Sequence, residues 1–403
     1  MAFHLFKGIY KVYMRLLFYS HSSTLYGAST SLVNLISGIK SQDPIIELHV
    51  VIPGEGPLSN YLKDENISFS IIPHYFWIYN LELSNRKKKQ NYLLWKIWFL
   101  KNKWEKRLKN RFYFNRHKEF VKEYAPDNIY VNSSLAPMGA KVASHLKIPY
   151  IWHHREPLND LAYGYYLEYP QQFNRYFYKA VLHIYTSLFL KSTFPKTQND
   201  LVVYNGVNFK YKKYINDRPS SISALKFGVV GRINSQKGQE GVVSVFKNLI
   251  EKYKNKGFDH ELHIIGEGEK YYINQIKNSL EGQKIYFKGF LMPDEIFKEI
   301  DYLIVNANNE AFGRVVAEAN FYGIPVIARA SGALTEIVTP GINGFLYNDP
   351  VELSEILEKL IFDFDNLEYR KLSISSRKDF EEKFSIQDHA RKILLTIKEI
   401  NIQ

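Results

Sequence analysis

Short apolar runs alternate with longer stretches in which apolar and polar positions interleave. Residues 16–19, 47–52, 68–72, 128–132 and 149–153 are runs of strand length bounded by turn-forming residues. A polar, glycine-containing loop at 20–29 leads into a helix through about Ile39, and a further helix is expected near 140–145. Strand, helix and strand at this spacing indicate βαβ units and a parallel sheet. After the turn dipeptide Asn205-Gly206 a second series begins, with strands at 227–230, 261–265, 285–287, 302–305 and 325–328 and a helix at 240–253. Helical periodicity returns at 386–402. The pattern predicts an α/β protein of two doubly wound units in tandem. Such units bind ligands at the carboxyl ends of their strands, and the cleft between two of them is the natural active site.

A length of 403 residues suits two domains. The absence of cysteine excludes a disulfide, a thiolate nucleophile and a Cys-based metal site, and fits a reducing compartment. No uninterrupted apolar run reaches the roughly 20 residues that span a bilayer. The run at 180–190 is too short and contains His183. Lys7, Lys11 and Arg15 interrupt any signal-peptide pattern, so a cytoplasmic location is expected. The net charge of +12 is concentrated: residues 86–118 hold 13 Lys/Arg and a single acid, Glu105, and the rest of the chain is neutral.

Two acids, Glu310 and Glu318, bracket Phe312-Gly313 and the start of a helix, directly after a strand and the polar loop 306–309. Glu-x7-Glu alone is a weak signal that two solvated surface acids would also produce; the strand–loop–glycine–helix context argues for a site. Gly313 lets the backbone approach a ligand. The N–H groups of Arg314 and Val315 at the helix start suit a phosphate, and carboxylates accept hydrogen bonds from sugar hydroxyls. A nucleotide sugar has both parts. A second motif, Gly228-Val-Val-Gly231-Arg232-Ile-Asn-Ser-Gln-Lys237-Gly238, places two cations around a turn between a strand and a helix. They would neutralise a pyrophosphate as a glycosidic bond breaks, although the same residues suit an ordinary surface loop. Third, Tyr150-Ile-Trp-His153-His154-Arg155-Glu156 ends a strand; alternation sends His153 and His154 to opposite faces. Fourth, Leu25-Tyr-Gly27-Ala28-Ser29 forms the first loop, where Ser29 also reads as a plain helix N-cap.

Together these motifs resemble the retaining, metal-independent glycosyltransferases of family 4, the glycosyl transferases group 1, most densely between residues 205 and 345. The resemblance implies the GT-B fold, two Rossmann-like domains facing across a cleft. It implies an acceptor-side domain at 1–207, a nucleotide-sugar domain at 208–383, and a helix at 384–403 packing back on the first. It assigns catalysis to His153, Glu310, Arg232 and Lys237, with Glu310 on hydroxyls of the donor sugar, His153 near that sugar, and the two cations on the diphosphate. Donor binding falls to Gly27, Gly231, Gly289, Phe312, Gly313, Arg314, Val315 and Glu318, the last on the ribose. Ala28 departs from the family's second glycine, which weakens inference about the acceptor. No cofactor and no metal are implied, and Asp363 and Asp365 lie outside both motifs. The activity implied is transfer from a nucleoside-diphosphate sugar to a lipid-linked or surface-polysaccharide acceptor. A nucleotide-sugar epimerase of the same fold and a non-enzymatic nucleic-acid binder are the alternatives. Asn306, Asn308 and Asn309 are candidates for choosing the sugar.

The basic segment 86–118 has no counterpart in a minimal Rossmann pattern. Trp95, Trp98 and Phe99 with Lys96, Lys101 and Lys103 suggest an amphipathic helix for an anionic membrane surface, on the cytoplasmic side. Each cation near such a surface contributes on the order of 1 kcal/mol. A helical hairpin with its aromatics in the core is the plainer reading, and nucleic acid, which the same composition would suit, ranks last. Phe3, Phe6, Tyr10 and Tyr13 with Lys7 and Lys11 would add a second contact.

Overall fold

Two all-parallel sheets organise the chain in a computed structural model that describes residues 14–80, 91–157, 165–167, 170–207, 224–278, 280 and 284–402. The aromatic prefix before Met14, residues 86–90 of the basic segment and the start of the proposed second domain at 208 lie outside these described residues. The chain divides into two compact units. One comprises Met1–Thr186, Leu190–Gly206 and Ile386–Gln403; the other comprises Ser187–Phe189 and Val207–Ser385.

In the first unit the elements run β1 (Arg15–Ser20), α1 (Ala28–Gln42), β2 (Glu47–Ile52), α2 (Pro57–Asp64), β3 (Phe69–Ile71), β4 (Ile78–Asn80), α3 (Tyr92–Tyr124), β5 (Asn128–Asn132), α4 (Met138–Leu146), β6 (Tyr150–His154), β7 (Tyr165–Leu167), α5 (Pro170–Phe177), β8 (Leu182–Tyr185), α6 (Leu188–Ser192, whose first two residues count with the second unit) and β9 (Asp200–Val202). Seven strands form one sheet in the order β3-β2-β1-β5-β6-β8-β9; β4 and β7 pair separately as an antiparallel ribbon. The apolar runs are buried on both faces, as crossover helices require: Leu16, Phe18, Val50 and Ile52 pack with Leu32, Leu35 and Ile36 of α1.

The second unit runs β10 (Lys226–Val230), α7 (Gln239–Tyr253), β11 (Glu261–Ile265), α8 (Lys270–Lys277), β12 (Ile285–Gly289), α9 (Pro293–Glu299), β13 (Tyr302–Val305), α10 (Arg314–Phe321), β14 (Val326–Arg329), α11 (Leu334–Ile337), β15 (Gly344–Tyr347), α12 (Pro350–Phe362) and α13 (Asn366–Lys383). Its sheet order is β12-β11-β10-β13-β14-β15. Asp365 accepts from the N–H groups of Leu367 and Glu368 and so caps α13. The final helix, α14 (Ile386–Ile402), belongs to the first unit and lies on α1. A Cβ on Gly38 would sit 2.7 Å from Ala390 Cβ and from Ile386 Cγ2, so only glycine allows this approach.

The strands expected from apolar runs are present within a residue or so at each end, except β12, which continues to Gly289. Among the described residues five strands went unread: β4 and β7 of the antiparallel ribbon, β8 inside the run at 180–190, three-residue β9, and β15. Short strands without clear alternation carry little periodic signal.

Candidate functional site

In each sheet the strand order reverses at one point, and the motifs fall there. In the second unit β10 lies between β11 and β13. The loops leaving the carboxyl ends of β10 and β13 are residues 231–238 and 306–313, and such a switch point is where open α/β sheets bind ligands. The two loops are bonded together. Asn306 Nδ2 donates to Gly238 O at 2.8 Å, and Asn308 N donates to Gln236 O at 3.3 Å. Asn306 Oδ1 accepts from the Tyr347 hydroxyl at 2.8 Å. Its amide therefore braces the loops. Asn308 Oδ1 takes Arg329 Nη1 at 2.5 Å. Gln239, buried, closes the cation loop by donating to Arg232 O at 3.0 Å.

Lys237 Nζ stands 2.5 Å from Glu310 Oε2. Gly313 N donates to Glu310 Oε1 at 3.3 Å. Burial pushes the Glu310 pKa upward. The Lys237 ammonium and the N–H groups of Gly313 and Phe312 outweigh that and hold the carboxyl below its ordinary value, so it is an anion at neutral pH. Its backbone is clamped as well: Ala333 N donates to Glu310 O at 2.8 Å, and a Cβ on Gly332 would meet Glu310 N at 2.6 Å. Arg232 is exposed on the same cation loop.

Gly313 has φ +78° and is the N-cap of α10, where no side chain caps the helix. A Cβ there would lie 2.7 Å from Ile337 Cδ1. Phe312 is buried edge-on against Phe384, with ring centroids 5.8 Å apart, so its backbone rather than its ring is on offer to a ligand. One turn into the helix, Arg314 Nε donates to Glu318 Oε1 at 2.7 Å, and Val315 is half-buried beside them. Gly231 and Gly289 end β10 and β12; Gly266 N, donating to Gly289 O at 2.7 Å, lies between them. A Cβ at Gly231 or Gly289 would meet nothing within 4 Å. The structure thus brings Glu310, Lys237 and Gly313 into direct contact and places Arg232, Gly231, Arg314, Val315 and Glu318 on the same two loops and helix.

The first unit's switch point lies between β1 and β5, where Ser20 pairs with Asn132. Asn132 Nδ2 donates to Ala28 O at 3.0 Å. Gly27, exposed at φ +49°, is the N-cap of α1. The N-cap reading of Ser29 is therefore corrected: Ser29 lies inside the first turn, fully buried, because the helix begins at Ala28. His153 and His154 do face opposite ways. His154 contacts Ser134 and His183 among aromatic rings, at 2.5 and 2.9 Å. His153 Nδ1 is 2.5 Å from the Tyr130 hydroxyl, and its ring faces His389 of α14. It is completely buried, and burial followed by the nearby Arg155 charge pulls its pKa well down, so the ring is neutral. Nε2 has no hydrogen-bond partner among the described residues.

Two neighbours went unassigned in the sequence although they lie in the same motif. Arg155 is buried and donates from Nε to Asn132 Oδ1 at 3.0 Å and from Nη1 to Asn205 Oδ1. Glu156 Oε2 accepts from Ser133 Oγ at 2.9 Å, and burial raises its pKa to about 7. Ser133 has φ +103°, a strained backbone for a residue with a side chain. The available signal was position: both charged residues follow directly on the end of a buried strand.

Residues 92–118 of the basic segment lie in one 33-residue helix, α3. Its carboxyl half is docked: Asn110 exchanges hydrogen bonds of 2.9 and 3.0 Å with the Tyr75 backbone, and His117 and Val121 are buried. The expected aromatic face of Trp95, Trp98 and Phe99 is corrected. These rings are half-buried, and Trp95 stacks on Phe99 at 5.4 Å. Of the exposed apolar residues of α3, which also include Tyr92, Leu94 and Phe112, five line up as a stripe: Leu93, Ile97, Leu100, Trp104 and Leu108, each 44–66% exposed. At 100° per residue these five share one narrow face, and the aromatic trio falls on the other side. Among the described residues no helix is long and apolar enough to cross a membrane.

Residues 215–378 match the family model for glycosyl transferases group 1. An uncharacterized glycosyltransferase of Methanocaldococcus jannaschii is 30% identical over 225 residues, which cover 52% of this chain and 59% of that one. The capsular polysaccharide biosynthesis glycosyltransferase CapM of Staphylococcus aureus is 29% identical over 196 residues, 45% of this chain and 47% of the relative. The chain spans about half the length of the curated relatives it matches. Among solved structures, Anabaena HepE in complex with UDP and glucose superposes with a TM-score of 0.68 at 20% identity, covering 96% of this chain and all of that one. The lipopolysaccharide outer core galactosyltransferase WaaB superposes with a TM-score of 0.65 at 18% identity, over 96% and 99%. Both parallel-sheet units thus have the fold of the GT-B glycosyltransferases, and residues 215–378 carry the glycosyl transferases group 1 segment.

Proposed function

We propose that the protein is a retaining glycosyltransferase that moves a sugar from a nucleoside-diphosphate donor to a lipid-linked or surface-polysaccharide acceptor. The observation that carries this reading is the Lys237–Glu310 pair at the second unit's switch point, beside the glycine-started helix at Gly313. Arg232, Lys237 and the backbone at Gly313, Arg314 and Val315 would hold the diphosphate and stabilise the charge that grows on it as the glycosidic bond breaks. With two cations on the leaving group, the reaction needs no metal ion. Glu310, ionised and fixed through its backbone, would accept hydrogen bonds from donor-sugar hydroxyls once Lys237 turns to the phosphate. Glu318 would accept from the ribose. No carboxylate nucleophile is assigned: the departing diphosphate takes the acceptor's proton on the face it leaves, which retains the anomeric configuration. His153 is the first unit's contribution to positioning the sugar, and its burial means that donor binding must expose Nε2.

The complexes of HepE with UDP and with UDP-glucose make uridine nucleotides the first donors to test. The exposed stripe and cations of α3 support peripheral association with the inner face of a membrane. A thermal-shift screen against nucleotide sugars, followed by turnover of the best donor with and without chelator, tests the reading. Glu310→Ala should bind UDP yet lose transfer by roughly a hundredfold or more. Near-normal turnover in that variant would overturn it. Release of epimerised nucleotide sugar without acceptor would replace it with the epimerase.

A further inference from the structure

A cavity of about 570 Å³ lies in the first unit, among α3, α4, α5 and the segment at Phe76 and Trp77. Its size is that of a small-molecule site. Among the described residues its walls carry Lys106, Arg107, Arg111, Lys141, Arg175 and Lys179, and no Asp or Glu. Arg111, Arg175 and Lys179 around one cavity repel one another, and the free energy of that repulsion is recovered when a polyanion binds. Among the described residues no salt bridge reaches Arg111, Arg175 or Lys179. Lys179 Nζ instead donates to Ser144 Oγ at 3.1 Å, and Lys141 Nζ stands 5.9 Å from the centre of the Trp77 ring. Every lining residue belongs to the first unit, whereas the loops that carry Lys237 and Glu310 belong to the second.

The same helix carries a second feature. Arg107 lies over the Trp104 ring at 5.6 Å, and Trp104 with Leu108 forms the near end of the exposed apolar stripe that continues through Leu100, Ile97 and Leu93. A cationic cavity therefore opens beside an apolar track. We propose that the cavity binds the phosphate or diphosphate of an amphiphile, a prenyl or acyl chain ester, with the chain lying along the α3 stripe. Arginine forks and lysine ammonium groups suit phosphate oxygens. Taking this amphiphile as the sugar acceptor rests on the transferase reading; the binding does not.

The test uses the full chain and the triple variant Arg111→Gln, Arg175→Gln, Lys179→Gln, three exposed residues whose replacement should leave Tm unchanged. Affinity for farnesyl diphosphate is measured calorimetrically with UDP saturating, which blocks the diphosphate loops of the second unit. Farnesol is the uncharged control. Vesicles of phosphatidylglycerol, compared with phosphatidylcholine, separate a bilayer headgroup from a free prenyl diphosphate as the source of the anion. The triple variant should bind farnesyl diphosphate, phosphatidylglycerol vesicles or both roughly tenfold more weakly, with UDP affinity unchanged. Wild-type affinity of the triple variant for both probes, or farnesol binding as tightly as its diphosphate, overturns the proposal. Failure of the protein to bind any nucleotide counts against the transferase reading and leaves the cavity result standing.

Discussion

Lys237 and Glu310 are 73 residues apart in sequence, and Lys237 Nζ lies 2.5 Å from Glu310 Oε2 where the loops that follow β10 and β13 meet. In the proposed reaction each partner has a different target, the cation the diphosphate and the carboxylate the sugar. The ion pair therefore holds both groups in place without a donor, and donor binding must part it. Lys237→Ala should weaken UDP binding and slow transfer. Glu310→Ala should mainly slow transfer. Because the two share one interaction, a double-mutant cycle should be non-additive. Lys237 is over a third exposed, so its loss should lower stability by only about 1 kcal/mol. Additive effects on turnover would show that the pair is not a functional unit.

Gly313→Ala introduces a side chain at φ +78° and a Cβ 2.7 Å from Ile337 Cδ1. Destabilisation of about 1–3 kcal/mol is expected, together with weaker UDP binding, because the first turn of α10 must shift. Urea denaturation and calorimetry read the two effects. A variant as stable as wild type would show that the strained conformation is not needed.

The first unit should be acid-labile. Burial holds His21 and His183 down to about 4 and His117 and His389 to about 3, and it lowers His74, His153 and His154 as well. In the unfolded chain these rings titrate near 6.5. Below that pH the unfolded state binds more protons, so the stability that neutral rings contribute is complete above about 6.5 and is lost as pH falls toward 3–4. All five tryptophans lie in this unit, so their fluorescence reports its unfolding. The urea midpoint should drop steadily between about pH 7 and pH 5.

Glu156 has the opposite sign. Burial raises it from 4.5 to about 7. Between those values the folded state keeps a proton that the unfolded state has lost, so stability falls as pH rises through this window. Glu156→Gln removes that dependence. Relative to wild type the variant should gain on the order of 2–3 kcal/mol at about pH 8 and little at about pH 4.5. A constant difference across the range would mean that Glu156 titrates normally.

Membrane association should depend on one face of α3. Replacing Ile97, Trp104 and Leu108 by serine should weaken binding to anionic liposomes at least roughly tenfold without lowering Tm, since all three are exposed. Trp98→Ser should lower Tm instead, because that ring is half-buried. Liposome binding unchanged in the triple serine variant would remove this surface from consideration.

What the sequence by itself determined was local. Apolar runs marked most strands, and the Gly231–Gly238 and Glu310–Glu318 motifs named the loops that follow two of them, because turn chemistry and helix starts are written in adjacent residues. The separation of His153 from His154 followed from strand alternation alone. Tertiary structure decided the rest. Only the sheet order that sets β10 beside β13 brings Lys237 to Glu310. Only burial makes Glu156 a carboxyl near 7 and His153 a neutral ring, since desolvation depends on what packs above a side chain. The helical period put Leu93, Ile97, Leu100, Trp104 and Leu108 on one face and Trp95, Trp98 and Phe99 on another. The gathering of cations from α3, α4 and α5 around one cavity depended on packing contacts distant in sequence.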